Sequence, residues 1–201
     1  MAAHGRLSRF KAKTIYLMRK SILFLALVML CSGLAMAAGK EKMKGVNGIN
    51  FGWKFEKCVE AIGDVPRKLT RDEGNDEKRF SYSPATWGAQ QWNGSVLQFY
   101  KDKLYQVGFY KTSKTKDTAF FDSAKSHLTD LYGSPVMLQD NQNNLLWRSK
   151  DGNLAVLQYS LEKTESGTTQ HTIYLFFVDN KQVVKKARQV DSDLRKMING
   201  N

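Results

Sequence analysis

Residues 95–110 read SVLQFYKDKLYQVGFY, and this stretch decides the fold class. Two runs rich in β-branched and aromatic residues, Ser95–Tyr100 and Leu104–Tyr110, flank the polar tripeptide Lys-Asp-Lys. Two such runs separated by a short polar turn predict a β-hairpin with one face on a hydrophobic core. The large residues that alternate on the two strands and are predicted to face that core are Leu97, Phe99, Tyr105, Val107 and Phe109.

Amphipathic helices are predicted on either side of this hairpin. In Phe55–Ile62, apolar residues recur at the i, i+3, i+4 and i+7 spacing of one helical face, and Gly63 follows as a stop signal. A second helix is predicted to begin near Asp117 and to end before Gly133. A third, over residues 180–198, carries apolar residues on one side and cations elsewhere.

Three more strands are predicted after the second helix, at Asn144–Ser149, Asn153–Leu161 and His171–Val178. The mixed charges of residues 67–79 instead predict a solvated loop or hairpin tip, and the Gly- and Lys-rich residues 38–48 predict a flexible N-terminus. The chain is thus predicted to be α+β. Residues 49–201 are expected to form one domain, with helices packed on one side of an antiparallel sheet.

Two parts of the chain share an order of elements. A helix, a Gly and Pro stop, a strand with a tryptophan and paired strands occur in residues 49–111 and again in residues 117–179. In this comparison Trp92 corresponds to Trp147, and the charged residues 67–79 are an insertion that lengthens the first unit. The pattern predicts two tandem helix-plus-hairpin units, and chance similarity between two such units is the alternative.

This order, with Phe51-Gly52 before a short helix and Leu131-Tyr132-Gly133-Ser134-Pro135 after one, resembles small exported domains of the outer-membrane assembly lipoprotein E and β-lactamase-inhibitor-protein kind. The resemblance covers about residues 50–178 and implies helices on a curved antiparallel sheet, as one unit or a tandem repeat. It also implies a binding or scaffolding role. The chain departs from the assembly lipoproteins because it lacks their lipidation sequence, and no functional residue carries over.

An export signal precedes the domain. Arg19 and Lys20 are followed by an apolar run of about 14 residues, shorter than the roughly 20 that span a bilayer, and then by the small-x-small site Ala35-Met36-Ala37. This arrangement predicts a signal peptide over residues 1–37. The mature protein is expected to be periplasmic or secreted, with no transmembrane segment. Met18 is an alternative start of translation.

The net charge of +12 overstates the basic character of the mature chain. Six of the 31 lysines and arginines lie before Ala38, whereas all 19 acidic residues lie after it, so the mature chain keeps half of that charge. A charge of this size is ordinary for a soluble domain. We therefore expect no nucleic acid among the partners.

No spacing in the mature chain indicates a catalytic, metal or cofactor site. Cys58 lies on the apolar side of the first predicted helix and is expected to be buried, and a single cysteine forms no internal disulfide. His127 and His171 have no second ligand at metal-binding spacing. We therefore assign no catalytic residue and expect neither a metal nor a cofactor.

Residues 80–93, FSYSPATWGAQQWN, alternate aromatic with small polar residues. This composition suits an exposed groove for a peptide or a glycan, and the candidate partner-binding residues are Tyr82, Trp87 and Trp92. The alternative is that these aromatic side chains pack in the core. The two interpretations differ in exposure, because a binding residue has to reach the surface.

The sequence favours a non-catalytic binding or scaffold protein of the bacterial cell envelope, with a protein, peptide or glycan partner. The alternative is an envelope hydrolase with dispersed catalytic residues. A polar cleft that pairs His127 or His171 with a carboxylate would favour the hydrolase. A sheet face with exposed aromatic side chains would favour binding. The sequence specifies no oligomeric state.

We predict that export yields a soluble product that begins at Ala38, because Ala35 and Ala37 supply the small residues of a signal-peptide cleavage site. N-terminal sequencing of the exported protein measures this directly. A lipid-modified product that begins at Cys31, the alternative processing site, would contradict both the cleavage site and the expected solubility.

Overall fold

The computed structural model describes residues 39–72, 76–138, 141–164 and 167–199. The predicted signal peptide, its cleavage after Ala37 and the alternatives at Met18 and Cys31 lie outside the described residues. Among the described residues, no helix combines the length and the apolar character that a membrane span requires.

The first helix, α1 (Phe55–Ile62), has the predicted bounds. The strands of the N-terminal part are, in order, β1 (Gly45–Val46), β2 (Ile49–Asn50), β3 (Arg67–Asp72), β4 (Glu77–Tyr82), β5 (Ala85–Trp87), β6 (Gln90–Trp92), β7 (Gly94–Tyr100) and β8 (Lys103–Ser113). Gly63 ends α1 with a φ of 74°, which favours glycine, and its N–H donates to the carbonyls of Val59 and Glu60.

The C-terminal part begins and ends with a helix, and both helices lie where the sequence predicts them. The elements are, in order, α2 (Thr118–Tyr132), β9 (Val136–Leu138), β10 (Asn141–Arg148), β11 (Leu154–Lys163), β12 (Thr169–Val178) and α3 (Asn180–Asn199). The combination of helices with antiparallel strands confirms the predicted α+β class.

An antiparallel sheet has the strand order β3-β4-β7-β8-β12-β11-β10-β9. The strands on one side of its centre follow α1 in the chain, and those on the other side follow α2, so each arm is a helix followed by four strands of this sheet. The last strands of the two arms, β8 and β12, pair at the centre. Two separate hairpins, β1–β2 and β5–β6, stand apart from the sheet.

The extra residues of the first arm are not the ones that the sequence indicates. Residues 67–72 and 77–79 belong to β3 and β4, which occupy the positions of β9 and β10 in the other arm. The additional element is the β5–β6 hairpin, which contains Trp92, whereas Trp147 lies in β10. The predicted correspondence between the two tryptophans is therefore wrong. The charged residues are misleading because β3 is an edge strand, where charges are common.

A β-bulge changes which residues of β8 face the core. The strand carries one extra residue, Tyr105, between the residues that pair with Gln98 and Phe99 of β7. Tyr105 consequently faces away from Val107 and Phe109, and its hydroxyl donates to Gln98 Oε1 at 2.8 Å. The expectation that Tyr105 shares their core face is therefore wrong.

One face of the sheet, here called face A, carries the larger core. Its fully buried large side chains from the sheet are Leu97, Phe99, Leu104, Phe109, Trp147, Leu157, Leu175 and Phe177. Apolar residues of α1 and α2 pack against them, and the ring of Phe55 meets that of Phe99 edge-on at 5.4 Å. Burial of each such side chain contributes about 1.5–3 kcal/mol, so this core is the chief source of stability.

Cys58 lies in this core, as predicted, and is fully buried. Burial raises the pKa of its thiol to about 11, and the charge of Asp102 acts in the same direction. A thiol with so high a pKa is protonated near neutral pH, and the protonated form is a poor nucleophile. The residue therefore behaves as a small apolar side chain.

The opposite face, here called face B, carries a second buried apolar cluster, which comprises Val96, Leu138, Leu146, Leu154, Val156, Tyr174, Phe176 and Val178. Val183 of α3 packs against it. The prediction that the helices pack on one side of the sheet is therefore wrong for α3. The physical reason lies in β12, whose residues from Thr172 to Val178 are all buried, so both faces of the central strands need cover.

A polar contact attaches α3 to face B. The Lys186 ammonium lies 2.7 Å from a Glu77 carboxylate oxygen and 3.2 Å from the Tyr105 hydroxyl oxygen. Burial alone lowers the pKa of Lys186, but its interactions with Tyr105 and Glu77 outweigh burial and raise that pKa. The side chains of the ion pair are 18% and 10% exposed, so solvent screens them little.

The N-terminal segment before β2 is packed, contrary to the flexible terminus predicted there. Met43 is 1% exposed. Its N–H donates to Asp151 Oδ1 at 3.0 Å, and its carbonyl accepts from Asn153 Nδ2 at 2.8 Å. A Cβ at Gly39 would overlap a backbone carbonyl at the end of β10, so glycine there permits close packing rather than flexibility.

Alkaline pH should weaken the folded state through Lys186. Because its pKa is raised on folding, its contribution to stability is complete below the unfolded pKa of about 10.4 and is lost as pH rises through the folded value. Urea unfolding at about pH 9 and at about pH 11 measures the free energy of unfolding at each pH. Between the two, this free energy should fall more for the wild type than for Lys186→Met. The exposed neighbour Lys185 supplies the control, Lys185→Met, which should follow the wild type. Equal losses in the wild type and Lys186→Met would contradict this account.

Candidate binding site

The structure places Trp87 and Trp92 in the core of face A. Their exposed fractions are 7% and 1%. The ring of Trp92 lies 5.8 Å from Phe109 and 4.8 Å from Phe120, and that of Trp87 lies 5.3 Å from Phe177. The expectation that both indoles are exposed is therefore wrong. A partner gains no large contact area from them in this conformation.

The β5–β6 hairpin buries these tryptophans because it covers part of face A beside α2. In β5, Trp87 is buried while Thr86 is exposed, and in β6, Trp92 is buried while Gln91 is exposed. The Gln90 Nε2 donates to a backbone carbonyl of α2 at 2.9 Å and ties the hairpin to that helix. The alternation of aromatic and polar residues is thus the inward and outward alternation of two short strands.

Tyr82 lies half-buried on β4, with its ring 6.3 Å from that of Phe80. Burial raises the pKa of its hydroxyl, and a side-chain hydrogen bond with Ser95 acts in the opposite sense. Its neighbours are thus core residues of the first arm. A contact between Tyr82 and a partner stays a prediction.

His127 and His171 contact aromatic side chains. His127 lies on the exposed side of α2, with its ring 4.9 Å from that of Trp87. His171 Nδ1 hydrogen-bonds with the Tyr159 hydroxyl. Within the part of the chain that the structure describes, no group of three or more His, Cys, Asp and Glu side chains is arranged to hold a metal ion.

A cavity of about 510 Å³ opens between the start of α2 and face A of β9, β10 and β11. Its apolar lining consists of Phe121, Pro135, Met137, Leu145 and Tyr159. Leu145 is 3% exposed and continuous with the core, so the cavity reaches from the surface to the packed interior. A volume of this size lies within the range of protein ligand sites.

The start of α2 supplies charged groups at the mouth of the cavity. Asp117 caps the helix, since its Oδ1 accepts from the Phe120 N–H at 3.1 Å. The charged residues of the next turns, Asp122 and Lys125, are exposed, whereas Phe121, which precedes Asp122, is half-buried. The mouth therefore combines charges of both signs with an apolar interior.

Tyr159 forms a fixed wall of the cavity. Its hydroxyl forms a hydrogen bond with His171, and the Lys116 ammonium lies 5.0 Å from the centre of its ring. A cation in this position is attracted to the electron-rich face of the ring. Two independent contacts therefore hold the side chain in place.

Exposed apolar side chains flank this cavity. Met137 lines it and is 49% exposed, and Leu161 is 61% exposed and lies two positions beyond Tyr159 on the same side of β11. Along that side, burial decreases from Leu157, which is fully buried, through half-buried Tyr159 to Leu161. An apolar strip thus runs from the core, along the cavity wall, to solvent.

The sequence does not reveal this site. Met137 lies in β9, and three residues are too few for a periodic pattern. The alternation of Leu157, Tyr159 and Leu161 is visible and indicates one face of a strand. It does not show where α2 stops covering that face, which decides that Leu161 is exposed while Leu157 is not.

Replacing Trp92 tests its place in the core. Trp92→Ala removes a fully buried indole and is expected to lower the free energy of unfolding by about 3–5 kcal/mol. Urea unfolding of residues 38–201 measures this loss. Thr86→Ala, exposed on the same hairpin, is the control and should change the free energy by less than about 0.5 kcal/mol. A Trp92→Ala protein as stable as the wild type would show that the indole does not support the core.

In comparisons with known proteins, no family model, no curated protein and no solved structure matches the chain. The resemblance to exported helix-on-sheet domains therefore stays an interpretation of the sequence.

Proposed function

We propose that the protein is a non-catalytic binding or scaffold module of the bacterial cell envelope, exported to the periplasm or beyond. The cavity beside α2 holds an apolar side chain of a partner protein or peptide. The observation that carries this proposal is the position of Met137 and Leu161, two exposed apolar side chains that flank one cavity. Exposed apolar groups beside a concave site with a polar mouth are typical of a recognition surface.

The arrangement suits a side chain that a larger partner presents. A small ligand inside the cavity would contact its lining, including Leu145 and Tyr159. Leu161 lies beyond Tyr159 along β11 and adds contact area that such a ligand does not need. A protein partner uses both, because one anchor residue fills the cavity while its neighbours cover the rim.

A protein or peptide suits the site better than a glycan. The Lys116 ammonium lies over the ring of Tyr159, so that ring does not offer two open faces for a sugar to stack on. The exposed rim residues, Met137 and Leu161, are apolar, and their side chains offer no hydrogen-bond donor and no acceptor other than the weak thioether sulfur of Met137. Their burial against an apolar partner side chain is favourable without further polar contacts.

The hydrolase alternative receives less support from the geometry. The observation that favours a hydrolase is the contact of His171 with Tyr159, which lines the cavity. That contact is to a phenol, whereas the hydrolase interpretation requires a carboxylate that orients the imidazole as a base. Binding is therefore the function that we propose.

Site-specific photo-crosslinking in intact cells tests the proposed site. A photoreactive phenylalanine analogue replaces Met137 in one exported protein, Leu161 in a second and Thr86 in a third. Adducts with the same polypeptide are expected at the first two positions, because both flank one cavity. Thr86, exposed on the β5–β6 hairpin, is the control position and should give none.

A charged substitution at the rim of the cavity is expected to prevent partner binding. Met137→Lys places an ammonium where an apolar partner group would pack, so it should abolish the adduct at Leu161. Thr86→Lys should preserve that adduct, and both variants should unfold at the urea concentration of the wild type because both sites are exposed. Any of three outcomes would contradict the proposal: an adduct with a glycan, adducts at Thr86 equal to those at the rim, or no adduct at either rim position.

A further inference from the structure

The region where α3 contacts face B contains a buried amide without a hydrogen-bond partner among the described residues. Gln106 is fully buried, and neither the nitrogen nor the oxygen of its carboxamide forms a hydrogen bond within that part of the chain. Such a group costs about 1–3 kcal/mol. Its cross-strand neighbours are Gln98 and Val178, and the Gln98 side chain accepts from Tyr105. The unsatisfied amide thus lies beside the contacts that attach α3.

Polar contacts hold the first half of α3 in this place. Lys186 joins the helix to Glu77 and to the Tyr105 hydroxyl, and the Asp179 N–H donates to the Tyr105 carbonyl at 2.8 Å. Within the described residues, Val183 is the α3 side chain that packs against the apolar cluster of face B. Among the side chains of α3 that the structure describes, the contacts with face B are therefore mainly polar.

A buried ion pair is a weak way to fasten a helix permanently. The cost of removing both charges from water offsets most of their attraction, and apolar residues of similar volume often stabilise such a position more. Removal of one partner, in contrast, is strongly destabilising because the other charge stays buried. The Lys186–Glu77 pair therefore makes an attachment that a change of charge can release.

The surface beside this attachment is apolar and aromatic. Gln106 pairs with Val178 of β12, and Phe176 lies two positions along the same side of that strand. The rings of Phe176 and Tyr174 stack at 5.9 Å with an angle of 12° between their planes. Aromatic side chains are enriched at the cores of interaction surfaces.

We propose that α3 is a reversible cover of face B and that the surface beneath it, from Gln106 to Phe176, docks a polypeptide segment of a partner. The partner packs apolar side chains against Phe176 and Val178. Its amide groups supply the donor and the acceptor that the Gln106 carboxamide lacks, a gain that α3 does not provide. An acyl chain has neither group and would leave the cost of the buried amide in place.

This surface lies on the face of the sheet opposite the α2 cavity, so the proposal goes beyond the proposed function and does not depend on it. Hydrogen exchange of the mature protein, residues 38–201, tests the cover without a variant. Amides of residues 184–189 should exchange at least about tenfold faster than those of β8 and β12, because α3 opens locally before the sheet does. Equal rates, which indicate release only by global unfolding, would overturn the proposal.

A charge reversal tests whether the cover controls access. Lys186→Glu places a second negative charge beside Glu77 and should release α3, whereas Lys185→Glu makes the same change at an exposed neighbouring position. Short random peptides displayed on phage are selected against the Lys186→Glu protein. They should bind it at least about tenfold more tightly than they bind the wild type or Lys185→Glu. Equal binding to the three proteins would refute a covering role.

Gln106→Leu tests whether the buried amide recognises the peptide. Combined with Lys186→Glu, it should weaken binding of the selected peptides about tenfold or more. In the wild-type background it should keep or raise the urea midpoint, because it removes an unsatisfied group. Unchanged peptide binding, or palmitate binding in place of peptide, would overturn recognition by the amide.

Two further comparisons keep these outcomes separate. If Lys186→Glu does not fold, Lys186→Gln removes the charge without repulsion and should give the same order of peptide affinities. Selected peptides should bind equally when Met137→Lys is added to Lys186→Glu, because Met137 belongs to the cavity on face A. If Met137→Lys abolishes binding of the selected peptides, they bind at the cavity on face A, and the proposal of a second binding surface on face B is refuted.

Discussion

The antiparallel pairing of β8 with β12 is the contact on which the two arms of the sheet depend. Its register runs from Ser113 opposite His171 to Gln106 opposite Val178, and each strand is the last of its arm. The pairing places strands that are distant in sequence at the centre of the sheet. Because successive side chains of a strand point to opposite faces, these central strands bury residues on both faces, and each face then needs a cover.

The two covers differ in physical character, and this difference shapes the molecule. Face A is covered by α1, α2 and the β5–β6 hairpin through packed apolar and aromatic side chains, among which Trp92 is fully buried. The described contacts of α3 with face B are those of Lys186 with Glu77 and Tyr105, together with the packing of Val183. Apolar packing favours a permanent cover, whereas a buried ion pair beside an unsatisfied amide, Gln106, favours one that can be exchanged.

Both surfaces to which we assign partners occur where packing is incomplete. On face A, β11 continues past α2. Its face A side chains therefore change from buried Leu157 to exposed Leu161, and a cavity lies beside Tyr159 between them. On face B, the Gln106 carboxamide beside the attachment of α3 has no hydrogen-bond partner among the described residues. A tightly packed core tolerates neither feature without cost, and under our two proposals a partner that fills the site recovers that cost.

The sequence by itself determined the three helices and the central hairpin, because local periodicity, start signals such as Asp117 and stop signals such as Gly63 act within one turn of the chain. It also indicated correctly that Cys58 is buried. Only the tertiary structure decided that residues 67–72 form an edge strand, that Trp92 is core and that a bulge turns Tyr105 to face B. Those outcomes depend on which strand lies beside which and on where each helix stops covering the sheet, and such long-range contacts leave no periodic trace in the sequence.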